Sequence, residues 1–216
     1  MSGESHYVKI KLDLSDLDKP QEVLVLPTLT PPELLGAIIE EFRGTPHLIP
    51  NPAAYRLTRA DTGTLLDDEL PLARQLGPQL ACRLHEYCPP LPQGAVPMGL
   101  RIYLREQIHG TVYPLHWQPA LIGRPDDKLL DNDLLAVNVA AYTTGLRVSR
   151  RHAQVISEAG QVYLENLGQN ATHVTAVQGT PVEVTGRQLL SDGAMIELVR
   201  SQIKLMVIMR PRVAAP

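Results

Sequence analysis

Three short segments of this 216-residue chain hold residue types that suit an anion. Arg124 follows a glycine, Ser149 and Arg150 stand side by side, and Asn170 begins an Asn-Ala-Thr run. Guanidinium groups and neutral hydroxyl or amide donors, held at the mouth of a rigid scaffold, are well suited to a phosphate dianion. Taken singly, Arg124 could be an ordinary surface arginine and Ser149 a turn residue, so the arrangement of the segments decides.

The sequence offers no comparable set of residues for catalysis. It lacks the motifs GxxxxGK[ST], GxGxxG after a strand, HExxH and GxSxG, and it lacks a protein-kinase signature. The seven histidines are scattered along the chain. Asp126, Asp127, Asp131 and Asp133 could be imagined around a cation, but acidic doublets in a Pro-led loop favour solvated turns. We expect no enzyme, no metal site and no cofactor.

Composition and charge argue against several other classes of protein. Hydrophobic residues make up 44% of the chain and charged residues 20%, as in ordinary globular domains. The net charge of −3 argues against a broad nucleic-acid surface. Only Cys82 and Cys88 could form a disulfide, and no secretion signal or membrane-length apolar run is present. The sequence therefore predicts a cytoplasmic protein without membrane insertion.

A proline-rich stretch at residues 89–98, with four prolines and one glycine, predicts a linker between two domains. A Pro-rich loop inside one domain is the alternative. The charge differs on the two sides: residues 1–88 hold 8 basic and 13 acidic residues, and residues 89–216 hold 12 and 10. We expect a first domain at residues 5–88, a second at residues 99–210, and a tail at residues 211–216.

The first domain has the pattern of a small α+β fold. Residues 7–14 alternate between polar and apolar, and residues 22–26 return as a second strand. Thr30 and Glu33 form a capping box at the start of a helix. Further strands are expected at residues 55–59 and 80–84.

This order of elements resembles the ubiquitin-like (β-grasp) fold. More narrowly it is similar to the small ubiquitin-like proteins of bacterial type VII secretion systems, in which a strand like residues 55–59 runs into an acidic segment like residues 66–70. Conjugation is not expected, because the domain ends in Tyr87, Cys88 and Pro89 and the chain continues, with no free Gly-Gly. The resemblance implies a binding surface or an inert companion domain.

The second domain reads as many short β segments separated by Gly, Asp and Pro turns, which predicts an all-β sandwich. The ordered series Ile-Gly-Arg at 122–124, Ser-Arg-Arg-His at 149–152 and Asn-Ala-Thr at 170–172 resembles the forkhead-associated (FHA) domain. Residues 139–145 resemble the longer loop of many bacterial FHA domains. The resemblance implies a sandwich whose end loops bind phosphothreonine in an extended peptide.

The resemblance also assigns roles to individual residues. Arg124 is the guanidinium that meets the phosphate, Ser149 donates its hydroxyl, and Arg150 adds a second charge. Asn170 holds the peptide main chain, and Thr172 in the same loop is counted among the peptide-binding residues.

Two further residues are expected to shape the site rather than to bind peptide. Gly123 lets the backbone turn tightly before Arg124. His152 braces the loops from a buried position.

The loop around Asn170 departs from the family pattern. Where the family has Ser-x-Asn-Gly-Thr, this chain reads Gln-Asn-Ala-Thr at 169–172, which is one residue shorter and has Ala171 in place of glycine. Since alanine disfavours positive φ, the loop must adopt a different turn or accept strain.

Two functions are consistent with these features. The first is a non-enzymatic adaptor that binds phosphothreonine proteins in bacterial Ser/Thr kinase signalling. The second is a structural component of a type VII-like secretion apparatus, beside its ATPase, with a degenerate FHA site.

Overall fold

The computed structural model describes residues 7–14, 19–77, 80–126, 128 and 132–211. Asp16 and Asp18, between the first two predicted strands, Asp127 and Asp131, and residues 212–216 of the predicted tail lie outside the described residues. The chain divides into two compact units, Met1–Cys88 and Pro89–Pro216. Within the described ranges, no helix combines the length and the apolar character needed to cross a membrane.

The first unit is a four-stranded mixed sheet with one main helix. Its elements are β1 (Val8–Leu14), β2 (Gln21–Val25), α1 (Pro31–Glu41), β3 (Tyr55–Arg59), the short α2 (Leu72–Gln75) and β4 (Ala81–Glu86). The strand order is β2-β1-β4-β3. β1 pairs antiparallel with β2 and parallel with β4, and β3 pairs antiparallel with β4.

Helix α1 begins where the sequence places its cap. The Glu33 carboxylate accepts the Thr30 backbone N–H at 2.8 Å and the Thr30 hydroxyl at 3.0 Å. These hydrogen bonds lower the pKa of Glu33. The helix buries Leu34, Leu35 and Ile38, which are spaced to lie along one face.

The second unit contains eleven strands in the described residues, arranged in two sheets. The strands are β5 (Val96–Glu106), β6 (Val112–Gln118), β7 (Ala120–Gly123), β8 (Leu135–Asn138), β9 (Arg151–Glu158), β10 (Gln161–Asn166), β11 (Thr172–Thr175), β12 (Val182–Glu183), β13 (Arg187–Leu190), β14 (Met195–Leu198) and β15 (Ile203–Arg210). One sheet has the order β13-β10-β9-β7-β8, and the other has the order β12-β11-β14-β15-β5-β6.

Side chains from both sheets meet in one hydrophobic core. The first sheet contributes Ile122 and Leu164, and the second contributes Leu104, Ile196 and Leu205. All five side chains belong to one cluster and are 0% exposed. This arrangement is the all-β sandwich that the sequence predicts. Strand β5 already begins at Val96, and Pro97 pairs with Trp117, so residues 96–98 of the predicted linker belong to the second unit's sheet.

We expect Leu164→Ala to destabilise the second unit by about 2–5 kcal/mol, because it leaves a cavity in a tightly packed core. Leu189 lies on the neighbouring strand β13 and is 48% exposed, so Leu189→Ala should change the free energy of unfolding by less than about 0.5 kcal/mol. Trp117, the single tryptophan, reports on this unit when urea unfolding is followed by fluorescence. Equal losses in the two variants would contradict the assignment of the core.

Candidate functional site

Neighbouring strands bring the candidate residues to one end of the sandwich. β7 ends at Gly123, β9 begins just after Arg150, and β10 ends at Asn166. The three strands lie in the order β10-β9-β7 in one sheet, with β9 antiparallel to both neighbours. The chain segments that continue from these ends, residues 124–126, 147–150 and 167–171, are called the site loops below.

Gly123 allows the first two site loops to touch. A Cβ atom at this position would overlap the Arg150 carbonyl group and would lie 2.9 Å from the Ser149 carbonyl oxygen. The next residue, Arg124, donates its backbone N–H to the Arg150 carbonyl at 3.2 Å. The φ of Gly123 is not in the left-handed region, so the glycine serves this close approach rather than the tight turn that the sequence predicts.

The Arg124 side chain is partly buried and held from one side. Its Nε donates to the Val148 carbonyl oxygen at 2.6 Å. Among the described residues, no carboxylate pairs with it. Its two terminal nitrogens therefore keep their charge and their hydrogen atoms for another acceptor, and such a planar pair suits two oxygens of one phosphate.

Ser149 and Asn170 are neighbours across two site loops. The Asn170 amide nitrogen lies 3.5 Å from both the Ser149 hydroxyl and the Arg147 carbonyl oxygen. Gly168 packs on the same serine, since a Cβ there would lie 2.8 Å from the Ser149 hydroxyl. Contacts of 3.5 Å are at the limit of hydrogen bonding, so both polar groups can exchange them for a ligand.

Arg150 forms an ion pair that sequence reasoning did not find. Its Nε lies 3.0 Å from an Asp126 carboxylate oxygen, and the two side chains are 61% and 13% exposed. Asp126 also accepts the Lys128 backbone N–H at 3.1 Å. Asp126 is thus not the solvated turn residue that the sequence predicts, and it offsets part of the charge of Arg150.

A buried set of hydrogen bonds supports the third site loop. His152 Nε2 and the Thr172 hydroxyl lie 3.0 Å apart, and Thr172 donates to the Asn166 side-chain oxygen at 2.9 Å. The Asn166 amide nitrogen then donates to the carbonyl oxygens of Gly168 and Asn170 at 3.2 and 3.3 Å. We call His152, Thr172 and Asn166 the buried relay.

The directions of these bonds define the tautomer of His152. Because the Thr172 hydroxyl gives its proton to Asn166, it accepts one from His152 Nε2. His152 Nδ1 is then the unprotonated nitrogen, and none of the described residues forms a hydrogen bond with it. His152 is 1% exposed, and burial lowers its pKa to about 4. His152 is therefore neutral at physiological pH.

Thr172 is buried, whereas the resemblance to FHA domains implies that it contacts the peptide. Its side chain is 0% exposed, and its hydroxyl is engaged by His152 and Asn166. It therefore cannot contact a peptide at the surface and supports the loop from below instead.

Ala171 resolves the alternative left open by the sequence. It does not have a positive φ, so the loop adopts a different turn and does not carry strain at this position. The Ala171 carbonyl oxygen accepts the Val199 backbone N–H at 3.3 Å, which ties the loop to the turn after β14.

Residues 139–145 form a compact turn beside the site loops. The Val139 N–H donates to the Gly123 carbonyl at 2.9 Å and the Gly145 N–H to the Tyr142 carbonyl at 2.8 Å. The hydroxyls of Tyr113 and Tyr142 lie 2.6 Å apart. Burial and this hydrogen bond raise the pKa of Tyr113. Within the described residues, no three His, Cys, Asp or Glu side chains form a metal cluster.

Comparison with known families shows which type of domain contains these residues. Residues 121–199 match the family model for the FHA domain. The second unit contains an FHA domain. The matched residues include the whole set from Gly123 to Thr172 and lie inside the range 99–210 predicted for the domain, and the resemblance to FHA domains is confirmed. No curated protein matches the chain.

Solved FHA structures are similar to about half of the chain. The FHA domain of human APLF, in complex with an XRCC1 bisphosphopeptide, is 19% identical, covering 50% of this chain and 97% of that one at a TM-score of 0.38. Mycobacterium tuberculosis EmbR, in complex with a low-affinity phosphopeptide, is 23% identical, covering 54% and 26% at 0.39. The FhaA FHA domain, complexed with the intracellular domain of Rv3910, is 25% identical, covering 49% and 98% at 0.36.

We expect Gly123→Ala to destabilise the FHA domain by about 1–3 kcal/mol, because the added methyl group overlaps the Arg150 carbonyl. Gly186 is the matched control, since it has open space around its Cα and no positive φ. Gly186→Ala should be neutral or stabilising by up to about 1 kcal/mol. The measurement is urea unfolding followed by Trp117 fluorescence, and a neutral Gly123→Ala would refute the close-approach argument.

The buried relay also predicts a pH dependence of stability. The folded protein lowers the pKa of His152 from 6.5 to about 4, so between these values the unfolded chain binds more protons. The stability from neutral His152 is complete above pH 6.5 and is lost towards pH 4, at up to about 1.4 kcal/mol per pH unit.

His152→Gln keeps a donor for Thr172 but cannot titrate, so its stability should fall less steeply between pH 6.5 and 4.5. His173→Gln, in the same domain, should keep the slope of the unchanged protein. Urea unfolding at several pH values, followed by Trp117 fluorescence, measures both slopes. Identical slopes for His152→Gln and the unchanged protein would exclude the buried relay as the source.

Proposed function

We propose that the FHA domain binds phosphothreonine within an extended peptide of a partner protein, without catalysing a reaction. The observation that carries the proposal is the Arg124 guanidinium, which no carboxylate neutralises in the described residues and which belongs to the same end of the sandwich as Ser149 and Asn170. A dianionic phosphate can accept hydrogen bonds from Arg124 and Ser149, and the Asn170 amide can bind the peptide main chain beside it.

Each site loop supplies a different element of recognition in this proposal. Arg124 offers its terminal nitrogens to the phosphate oxygens, and Ser149 donates its hydroxyl. Asn170 turns its amide from Ser149 and Arg147 to the peptide main chain. Arg150 adds positive charge, reduced by Asp126. Gly123, His152 and Thr172 enter as the frame that holds these groups.

The proposed partner is a protein phosphorylated on threonine by a cytoplasmic Ser/Thr kinase of the bacterial type, and the kinase itself can be that partner. Support comes from the family match of residues 121–199. FHA domains solved with phosphopeptides, such as that of human APLF, belong to the same family.

We also propose that the first unit is a ubiquitin-like domain that contributes binding rather than chemistry. The sheet order β2-β1-β4-β3, with the parallel β1–β4 pair at its centre and α1 between β2 and β3, supports this proposal. The chain continues from Cys88 into the FHA domain, so this unit is an adaptor module in the proposal. This proposal for the first unit depends on its resemblance to the small ubiquitin-like proteins of type VII secretion systems.

The phosphothreonine proposal is tested with three peptides of one sequence that contain phosphothreonine, phosphoserine or threonine. The phosphothreonine peptide should bind most tightly to the full chain in calorimetry. Arg124→Ala should weaken that binding by about 10- to 100-fold, because a charge-assisted hydrogen bond is worth about 1.5–3 kcal/mol. Arg210→Ala, at the far end of β15, should change affinity by less than about twofold.

The same titration separates the proposal from its rival, a scaffold in a type VII-like secretion apparatus with an unused FHA site. Such a scaffold would bind the three peptides alike, and Arg124→Ala would bind like the unchanged chain. The altered loop at residues 169–172 motivates that rival. The approach of the Asn170 amide to Ser149 at 3.5 Å favours the phosphothreonine proposal.

A further inference from the structure

An apolar groove runs along the first unit between α1 and β2. Its volume is about 530 Å³, within the range of about 300–1,000 Å³ that is typical of ligand sites. Its walls include Val23 and Val25 from β2 and Leu34, Ile38 and Phe42 from α1 and its end. The FHA site plays no part in it, because every lining residue belongs to residues 7–42.

One wall of the groove is an edge strand. In the sheet order β2-β1-β4-β3, β2 has β1 on one side only, so no other strand in the described part of the chain pairs with the backbone groups on its other side. Leu24 on this strand is 65% exposed. It pairs with the exposed Lys9, whereas the buried Val25 pairs with Val8, so its side chain lies on the face of the sheet opposite α1. An exposed apolar edge strand is a template for pairing with another strand.

The charge around the groove selects among possible partners. The described residues that line it include two carboxylates, Glu22 and Glu41, and no lysine or arginine. Glu22 is already paired with Lys9 at 3.0 Å, while no described residue pairs with Glu41. The first unit carries 8 basic and 13 acidic residues in all, so a cationic partner is favoured.

We propose that this groove binds an extended segment of a partner protein with alternating or consecutive aliphatic residues and a flanking lysine or arginine. The segment adds a strand beside β2, so that main-chain hydrogen bonds provide affinity and alternate side chains enter the groove. The flanking cation lies near Glu41.

A second copy of this chain fits the groove less well. Pairing β2 with β2 would add two further carboxylates, Glu22 and Glu41 of the other copy, to a groove that already holds two, and like charges repel. A short free peptide and a segment of a folded protein share the required chemistry, and the partner we propose is the protein segment.

The test uses the full chain and a fluorescent peptide of about ten residues, the length of a long strand, with four central Val and Ile residues between lysines. Fluorescence anisotropy gives the affinity, and backbone NMR shifts locate the site. Shifts should be largest in β2 and α1. A peptide with glutamates in place of the lysines should bind more weakly.

Two pairs of variants test the strand edge and the charge of the site. Leu24→Arg should weaken binding by about tenfold, since a strand added beside β2 also packs on Leu24 at the outer face of the sheet and an aliphatic contact is worth at least about 1.4 kcal/mol. Leu65→Arg is its control, because Leu65 is 59% exposed and does not line the groove. Glu41→Lys should lose about two- to fivefold for the lysine peptide and gain for the glutamate peptide, while Glu69→Lys should do neither.

The charge swap guards against a general effect of unfolding, because a misfolded variant would not gain affinity for the glutamate peptide. Equal affinity in Leu24→Arg and Leu65→Arg, or NMR shifts outside β2 and α1, would overturn the proposal. Sedimentation of the unliganded chain as a dimer that Leu24→Arg dissociates would also overturn it, in favour of a second copy. None of these outcomes depends on phosphothreonine binding, since the probe carries no phosphate.

Discussion

The buried relay of His152, Thr172 and Asn166 is the constraint on which the loop end of the FHA domain depends. His152 stands on β9 and Asn166 ends β10 in one sheet, while Thr172 begins β11 in the other sheet. The hydrogen bonds among them therefore join the two layers where the site loops leave the sandwich. Since unpaired polar groups are costly in a buried position, each member of the relay fixes the orientation of the next.

The polar side chains at the surface of the site make weaker contacts than the members of the buried relay. The Asn166 amide nitrogen fixes the carbonyl groups of Gly168 and Asn170, whereas the Asn170 amide reaches Ser149 only at 3.5 Å. The loop is thus held through its backbone, while the side chain on its surface remains available. Such pre-organisation reduces the ordering cost of binding, and it requires no charged residue beneath the surface.

The sequence predicts the positions of residues when these positions follow from local spacing. It does not predict the positions of residues that depend on strand register. The Arg124 and Ser149 segments flank β7 and β9, which the sequence shows as short β segments, so their meeting at one end follows from the antiparallel pairing of these strands. The burial of Thr172 depends on the pairing of β11 with β14, in which Thr172 faces Leu198. No local pattern in the Asn-Ala-Thr run specifies that register.

Loop conformation and ion pairing were also beyond the reach of the sequence. Ala171 does not have a positive φ, and the loop is held by the Asn166 side chain and by the Val199 backbone of another turn, contacts that no motif in the sequence predicts. The pairing of Asp126 with Arg150 likewise joins two segments that are separated by β8 and the turn at residues 139–145. In the first unit, by contrast, the capping box at Thr30 and Glu33 is local, and the sequence predicts it correctly.

The two candidate surfaces differ in the energies they can offer a partner. In the proposed function the FHA site directs a few donors at one concentrated charge, so its selectivity would arise from hydrogen-bond geometry and would weaken without the phosphate. The groove beside β2 presents apolar area and a strand edge, so the affinity proposed for it would grow with the length of the paired segment and would depend little on any single atom. A partner that carried both a phosphothreonine and a basic aliphatic segment would bind the two surfaces independently. The segment would bind the groove with or without the phosphate, and phosphorylation would raise the total affinity. Once one surface had bound such a partner, the second contact would form within the same complex. The effective concentration of the second binding group would therefore be higher than that of a free molecule.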